Sequence, residues 1–212
     1  MTNASTIHRL GVRAPVLILP DLFEPALCAA LIAAYDAAGG EMSGFMVVED
    51  GRTVGRHDPA HKVRRDHVVS DPAMIATIQS RIVARVVPAI RACHHFPVTR
   101  MERYLVACYD AAEGGHFRAH RDNTTPGTAH RRFALSINLN GDFEGGALRF
   151  PEFSDDRFTA PPGAGIVFSC SLLHQVDPVT RGRRYAFLPF LYDEAAAELR
   201  RRNQAAEVAG LR

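Results

Sequence analysis

Along residues 132–139, RFALSINL, apolar and polar positions alternate. Successive side chains leave opposite faces of a strand, so Phe133, Leu135, Ile137 and Leu139 share one face and Ala134, Ser136 and Asn138 the other. A second face that is small and polar leaves room for a polar ligand beside it. RYLVACY (103–109), GGALRF (145–150), GAGIVFS (163–169) and RRYAFLPFLY (183–192) are further short β-branched or aromatic runs, separated by Gly, Pro, Asn and Asp. The N-terminal half follows a helical period instead. Residues 24–38 predict a helix with Pro25 in its first turn and Gly39-Gly40 ending it. Ile75, Ile78, Ile82 and Val86 form the stripe of a second helix, capped by Asp71, opened by Pro72 and kinked or ended at Pro88. Asp193 starts a last helix.

Many short strands after a helical preface predict a mostly β, α+β domain, an antiparallel sandwich or jelly roll braced by the N-terminal helices on one face. The 212 residues suit a single domain, and neither an internal repeat nor a low-complexity linker divides it. Its expected parts are a helical support and lid segment (1–98), a β-core (99–193) and a C-terminal helix (194–212). Within the first part, residues 41–70 carry Arg52, Arg56, Lys62, Arg64 and Arg65. They read as a solvated loop or short hairpin, or as a basic flap over a substrate entrance.

Composition adds exclusions. With 47% hydrophobic and 23% charged residues the chain is globular in type, and a net charge of +2 gives no electrostatic case for nucleic acid. Cys28, Cys93, Cys108 and Cys170 have no regular spacing and read as reduced, buried thiols, not a disulfide frame or a zinc site. The apolar run VLILP (16–20) is short and bracketed by prolines, so neither a signal peptide nor a membrane span of about 18 apolar residues is expected. The expectation is a soluble, cytoplasmic protein.

GGHFRAHRDN (114–123) carries the candidate chemistry. If this segment is a strand, His120 and Asp122 leave the same face side by side. His174 lies just past the GAGIVFS strand, before a turn at Pro178 and Gly182. Two neutral imidazoles and a carboxylate bind iron(II) on one triangular face and leave three positions open. A histidine hydrogen-bonded to a buried carboxylate is also a common structural arrangement, so HRD alone does not decide between the two readings.

The ordered series YDAAEGGHFRAHRDN, LSINLNGDFEGGALRFPE and HQVDPVTRGRRYAF, within residues 99–193, resembles the iron(II)- and 2-oxoglutarate-dependent dioxygenases, in their prolyl-4-hydroxylase-like branch. The resemblance implies a double-stranded β-helix core with His120, Asp122 and His174 as metal ligands. It implies that Arg184, ten residues after His174, binds the distal carboxylate of 2-oxoglutarate, a task suited to a guanidinium fork. Arg183 then points to solvent. The resemblance also implies that Tyr109, which reads equally as a core aromatic at a strand end, and Asn138, standing where many relatives carry a second tyrosine, line the same cosubstrate pocket. The implied cofactors are Fe(II), 2-oxoglutarate and O2, with ascorbate as a further candidate. The implied reaction is hydroxylation of a C–H bond with decarboxylation of 2-oxoglutarate to succinate and CO2. Asp122 favours hydroxylation, since related halogenases carry Gly or Ala there.

The expected partner is a small-molecule or peptide or protein substrate, including a prolyl residue or a free amino acid, with no nucleic acid and no membrane. Arg64, Arg65, Arg118, His116 and the loop 123–132 are candidate substrate contacts. Two other functions stay open: a non-catalytic metal- or small-acid-binding β-barrel module, and a zinc-dependent hydrolase. The latter requires a general base near the triad and has no need of Arg184.

Overall fold

A computed structural model describes residues 12–209. The first residues, where no signal peptide is expected, and the end of the expected C-terminal helix lie outside them. All strand pairs are antiparallel. The central path of the larger sheet runs Leu17–Leu19, Gly165–Ser169, Phe133–Asn138, Arg183–Phe187, Leu105–Asp110, Arg65–Val68. A smaller sheet holds Leu148–Arg149, His174–Val176, His116–His120 and Lys62–Val63. These are the two layers of a jelly roll.

Alternation divides the core into two clusters. Leu105, Ala107, Tyr109, Ala134, Ile166 and Phe168 of the larger sheet cluster with Phe117, Leu148 and Val176 of the smaller one. Val106, Cys108, Phe133, Leu135, Ile137 and Phe187 leave the opposite face and cluster with Leu27, Leu31 and Tyr35 and with Ile78, Ile82, Val86 and Ile90. Those two groups come from the helix Pro25–Ala38 and from a helical run starting at Pro72.

That run differs from the sequence expectation at Pro88. The α-helix Pro72–Arg81 passes into a π-helical turn, Ile82–Val86, and continues as Val87–His94. Proline removes an N–H and crowds the preceding turn, and the wider π-turn absorbs both without a break. Helix therefore spans Pro72–His94, 23 residues of mean hydropathy 1.3 at its most apolar. By length and composition alone it could cross a bilayer, which amends the expectation that no stretch qualifies. Its Ile78, Ile82, Val86 and Ile90 are buried in the core.

Residues 41–70 are also more ordered than a solvated loop. Phe45–Glu49 and Arg52–Arg56 form a hairpin. Lys62 then pairs with Phe117 of the smaller sheet, and Arg65 with Cys108 of the larger. The chain crosses between layers here, which leaves Arg64 buried between them. Asp193 caps the last helix, Glu194–Ala209, by accepting from the Ala196 N–H at 2.9 Å. Cys28, Cys108 and Cys170 are buried free thiols, whereas Cys93 is exposed.

Leu31 is fully buried where the first helix meets the larger sheet. Leu31→Ala is expected to destabilise the fold by about 2–5 kcal/mol, since the cavity left behind adds to the lost transfer energy. Urea unfolding monitored by circular dichroism checks it.

Candidate active site

His120 ends its strand, and the antiparallel register sets it directly opposite His174. The two rings lie 4.2 Å apart between centroids. Asp122 does not reach them by strand alternation, because the strand stops at His120. A turn follows, in which the Asp122 N–H donates to the Cys170 carbonyl at 3.0 Å. Asp122 Oδ1 then stands 3.6 Å from His120 Nε2, and Oδ2 stands 3.4 Å from His174 Nε2. Both separations exceed a good hydrogen bond. One ligand atom from each of the three residues falls within 4.8 Å of the others.

The imidazoles are oriented from behind. His120 Nδ1 lies 2.8 Å from the Arg118 carbonyl and His174 Nδ1 lies 3.0 Å from that of Leu172. A carbonyl only accepts, so the proton belongs on each Nδ1 and the Nε2 lone pairs face Asp122. His120 stacks on Phe117 at 3.5 Å, and His174 meets Phe168 edge-on at 4.6 Å. Burial, with His120 beside it, pulls His174 down to about 4, so it is neutral at physiological pH. Burial on its own raises the Asp122 carboxyl, but positive charge on His174 and His120, when they are protonated, outweighs it and holds that group well below the usual carboxylate range. Arg121, between the ligands, turns away to a bidentate pair with Glu152.

The triad opens into a cavity of about 540 Å³ between the two sheets. Arg184 lies in its wall, only 4% exposed, opposite Tyr109 in the strand register. Arg184 Nε donates to Asn138 Oδ1 at 3.0 Å and Nη2 to Ser136 Oγ at 2.9 Å. Its Nη1 has no partner among the described residues. The small polar face of the 133–138 strand therefore serves to hold this guanidinium. Asn138 donates its amide to the Ala160 carbonyl at 2.7 Å, so its main contact toward the pocket is Arg184 itself. Gly146 allows the close approach on the other side, where a Cβ would meet Arg184 Cδ at 3.0 Å. Arg183 points outward and pairs with Asp110 at 2.7 Å. The Tyr109 ring lies 5.4 Å from the Arg184 guanidinium, and its hydroxyl accepts from Arg64 Nη1 at 3.4 Å.

Of the candidate substrate contacts, Arg64 lines the cavity but Arg65 does not. Arg65 pairs with Glu113 at the surface, Arg118 bonds the Ala60 carbonyl and His116 that of Gly114. Lys62, Arg103 and Arg131 also line the cavity. Lys62 belongs to the basic segment 41–70 and Arg131 to the loop 123–132, both singled out by the sequence, whereas nothing in the local pattern signals Arg103.

Residues 104–192 match the family model of the 2OG-Fe(II) oxygenase superfamily. A PKHD-type hydroxylase of Synechococcus sp. (strain JA-2-3B'a(2-13)) is 34% identical over 89 residues, covering 39% of this chain and 39% of the relative. One from Paraburkholderia phymatum is 29% identical over 182 residues, covering 81% of this chain and 75% of the relative. Among solved structures, a Trichoplax adhaerens prolyl hydroxylase in complex with a hypoxia inducible factor oxygen degradation domain peptide fragment superposes with a TM-score of 0.67 at 16% identity, covering 87% of this chain and 86% of that one.

Over residues 104–192, about two-fifths of the chain, the similarity is to the 2OG-Fe(II) oxygenase superfamily. The relatives and solved structures that the chain resembles are PKHD-type and prolyl hydroxylases. The residues present fit the metal and cosubstrate in the superfamily's name. His120, Asp122 and His174 offer two imidazole nitrogens and a carboxylate, a donor set suited to iron(II). The unpartnered Nη1 of a buried arginine fits a carboxylate ligand.

His120→Ala and His174→Ala are each expected to weaken manganese(II) binding by more than the about 10–100-fold that loss of a mere supporting partner costs. Arg184→Gln should leave it unchanged. Calorimetric titration under nitrogen reads all three.

Proposed function

We propose that the protein is an iron(II)- and 2-oxoglutarate-dependent dioxygenase that hydroxylates a C–H bond. The observation that carries the reading is the pairing, in one cavity, of the His120–Asp122–His174 cluster with a buried guanidinium that has one nitrogen unsatisfied. Iron(II), 2-oxoglutarate and O2 together supply an oxidative decarboxylation, giving succinate and CO2, that is coupled to hydroxylation.

The rest falls to this chain's own residues. His120, Asp122 and His174 would hold the metal, a ligand set that suits iron(II) with cosubstrate and oxygen. Arg184 binds the distal carboxylate of 2-oxoglutarate, and Ser136 and Asn138 keep its fork from turning. A fixed donor array of this kind orients its ligand at little further entropic cost. Phe117, Leu148, Phe168 and Val176 line the cavity with apolar surface that limits water near the reacting centre. The relatives' names nudge the substrate toward a prolyl or other residue of a peptide or protein, alongside a free amino acid or small metabolite.

A zinc hydrolase would need a general base by the triad, for which His57 and His61 line the cavity, but it would leave the buried Arg184 without a role. Asp122 is the only acidic side chain lining this cavity among the described residues.

Anaerobic addition of iron(II) and 2-oxoglutarate should produce the visible charge-transfer band of the chelate, and admission of oxygen should release succinate. Arg184→Gln should weaken 2-oxoglutarate binding about tenfold or more, the value of a lost charge-assisted bond. Absence of the band, or a band that His174→Ala leaves intact, contradicts the reading.

A further inference from the structure

The cavity holds more positive charge than the proposed metal and cosubstrate would neutralise. On that reading, a divalent ion and Arg184 offset Asp122 and the two carboxylates of 2-oxoglutarate. Two further cavity cations are matched elsewhere. Arg121 is paired with Glu152, and Arg131 donates to Glu102 at 2.8 Å. Lys62, Arg64 and Arg103 remain, and they are gathered about one carboxylate.

That carboxylate is Asp66. Its Oδ2 accepts from Arg64 Nη2 at 2.6 Å and, more distantly, from Arg103 Nη2 at 3.4 Å. Lys62 is 5% exposed and has only neutral partners, Ser43 Oγ at 2.7 Å and the Gly44 carbonyl at 2.6 Å. Burial and then the nearby Arg64 push its ammonium down to about 6. Even with Lys62 discharged, two guanidiniums share one carboxylate. Arg64 is itself 5% exposed, and its Nε has no partner among the described residues. A buried donor left unsatisfied is costly unless a ligand or water completes it.

Arg103 is the accessible member, its side chain 32% exposed and lying over the Phe190 ring at 5.7 Å. Arg131 lies over the same ring at 4.1 Å. Arg103 also occupies the left-handed backbone region, φ 65, which a non-glycine residue rarely adopts without a reason in its surroundings.

We propose that Lys62, Arg64 and Arg103 form a second oxyanion subsite, and that the substrate to be hydroxylated carries a carboxylate or phosphate held there. This inference rests on the functional reading above and deepens it by naming a substrate class. An oxyanion on Arg103 anchors one end of the substrate while another part reaches the triad. Arg103 and Lys62 both lie within electrostatic reach of Asp122.

The test uses the full chain loaded with manganese(II) and saturating 2-oxoglutarate, which occupies the Arg184 site first. Acetate and methyl phosphate are then titrated separately at constant ionic strength, with calorimetry and the thermal midpoint as readouts. Saturable binding of at least one probe is expected, and the tighter of the two distinguishes a carboxylate-bearing from a phosphate-bearing substrate. Arg103→Asn, chosen because asparagine tolerates the left-handed backbone, should weaken that probe at least tenfold. The same variant should bind 2-oxoglutarate as the parent does, which shows that it is folded. Arg184→Gln should do the reverse.

No saturable response to either probe, or equal binding by Arg103→Asn, overturns the inference while leaving the dioxygenase reading in place. Failure of the parent protein to bind 2-oxoglutarate at all overturns that reading, and the inference with it.

Discussion

The antiparallel register that sets His174 opposite His120 is the constraint from which the site follows. It brings together two imidazoles that are 54 positions apart in sequence, and each ring is aimed by a backbone carbonyl at its Nδ1. The third ligand depends on a different device. Asp122 sits beyond the strand end, tethered by its own N–H to Cys170, which belongs to the turn that leads back into the His174 strand. One turn thus ties down two of the three side chains, Asp122 through Cys170 and His174 through Leu172.

Charge organises the rest of the cavity. A buried guanidinium needs partners on every side, and Arg184 is given them on all but one. Ser136 and Asn138 supply neutral acceptors, which fix its orientation without cancelling its charge. The crossing of residues 62–65 from one sheet to the other carries Lys62 and Arg64 into the same interior. An interior lined in this way favours anions, and a low local dielectric strengthens that preference. The apolar walls therefore serve a purpose beyond packing, because they keep the field of these cations from being screened by water.

Much of this was legible in the residues. The two-residue period of RFALSINL already separates a core face from a ligand face, and the structure divides Phe133, Leu135 and Ile137 from Ala134 in that way. The alternation of Arg183 and Arg184 likewise tells which guanidinium points inward. Other features were hidden for physical reasons. Asp122 is placed by a hydrogen bond to a residue far along the chain, so local spacing suggested a strand where there is a turn. Pro88 reads as a kink or a stop, and the helix continues past it behind a π-turn that ends two residues earlier. The cluster of Lys62, Arg64 and Arg103 forms only through sheet pairing, which no local pattern encodes. Asn138 looked like a ligand contact, and its short side chain in fact spends its hydrogen bonds on Arg184 and the Ala160 carbonyl.

The central claim is that three side chains share one divalent ion. Diffraction from crystals soaked in manganese(II), recorded on both sides of the manganese absorption edge, tests it most directly. A single strong anomalous peak is expected, bounded by His120 Nε2, His174 Nε2 and a carboxylate oxygen of Asp122. A peak elsewhere, or one that lacks any of these three as a ligand, contradicts the claim.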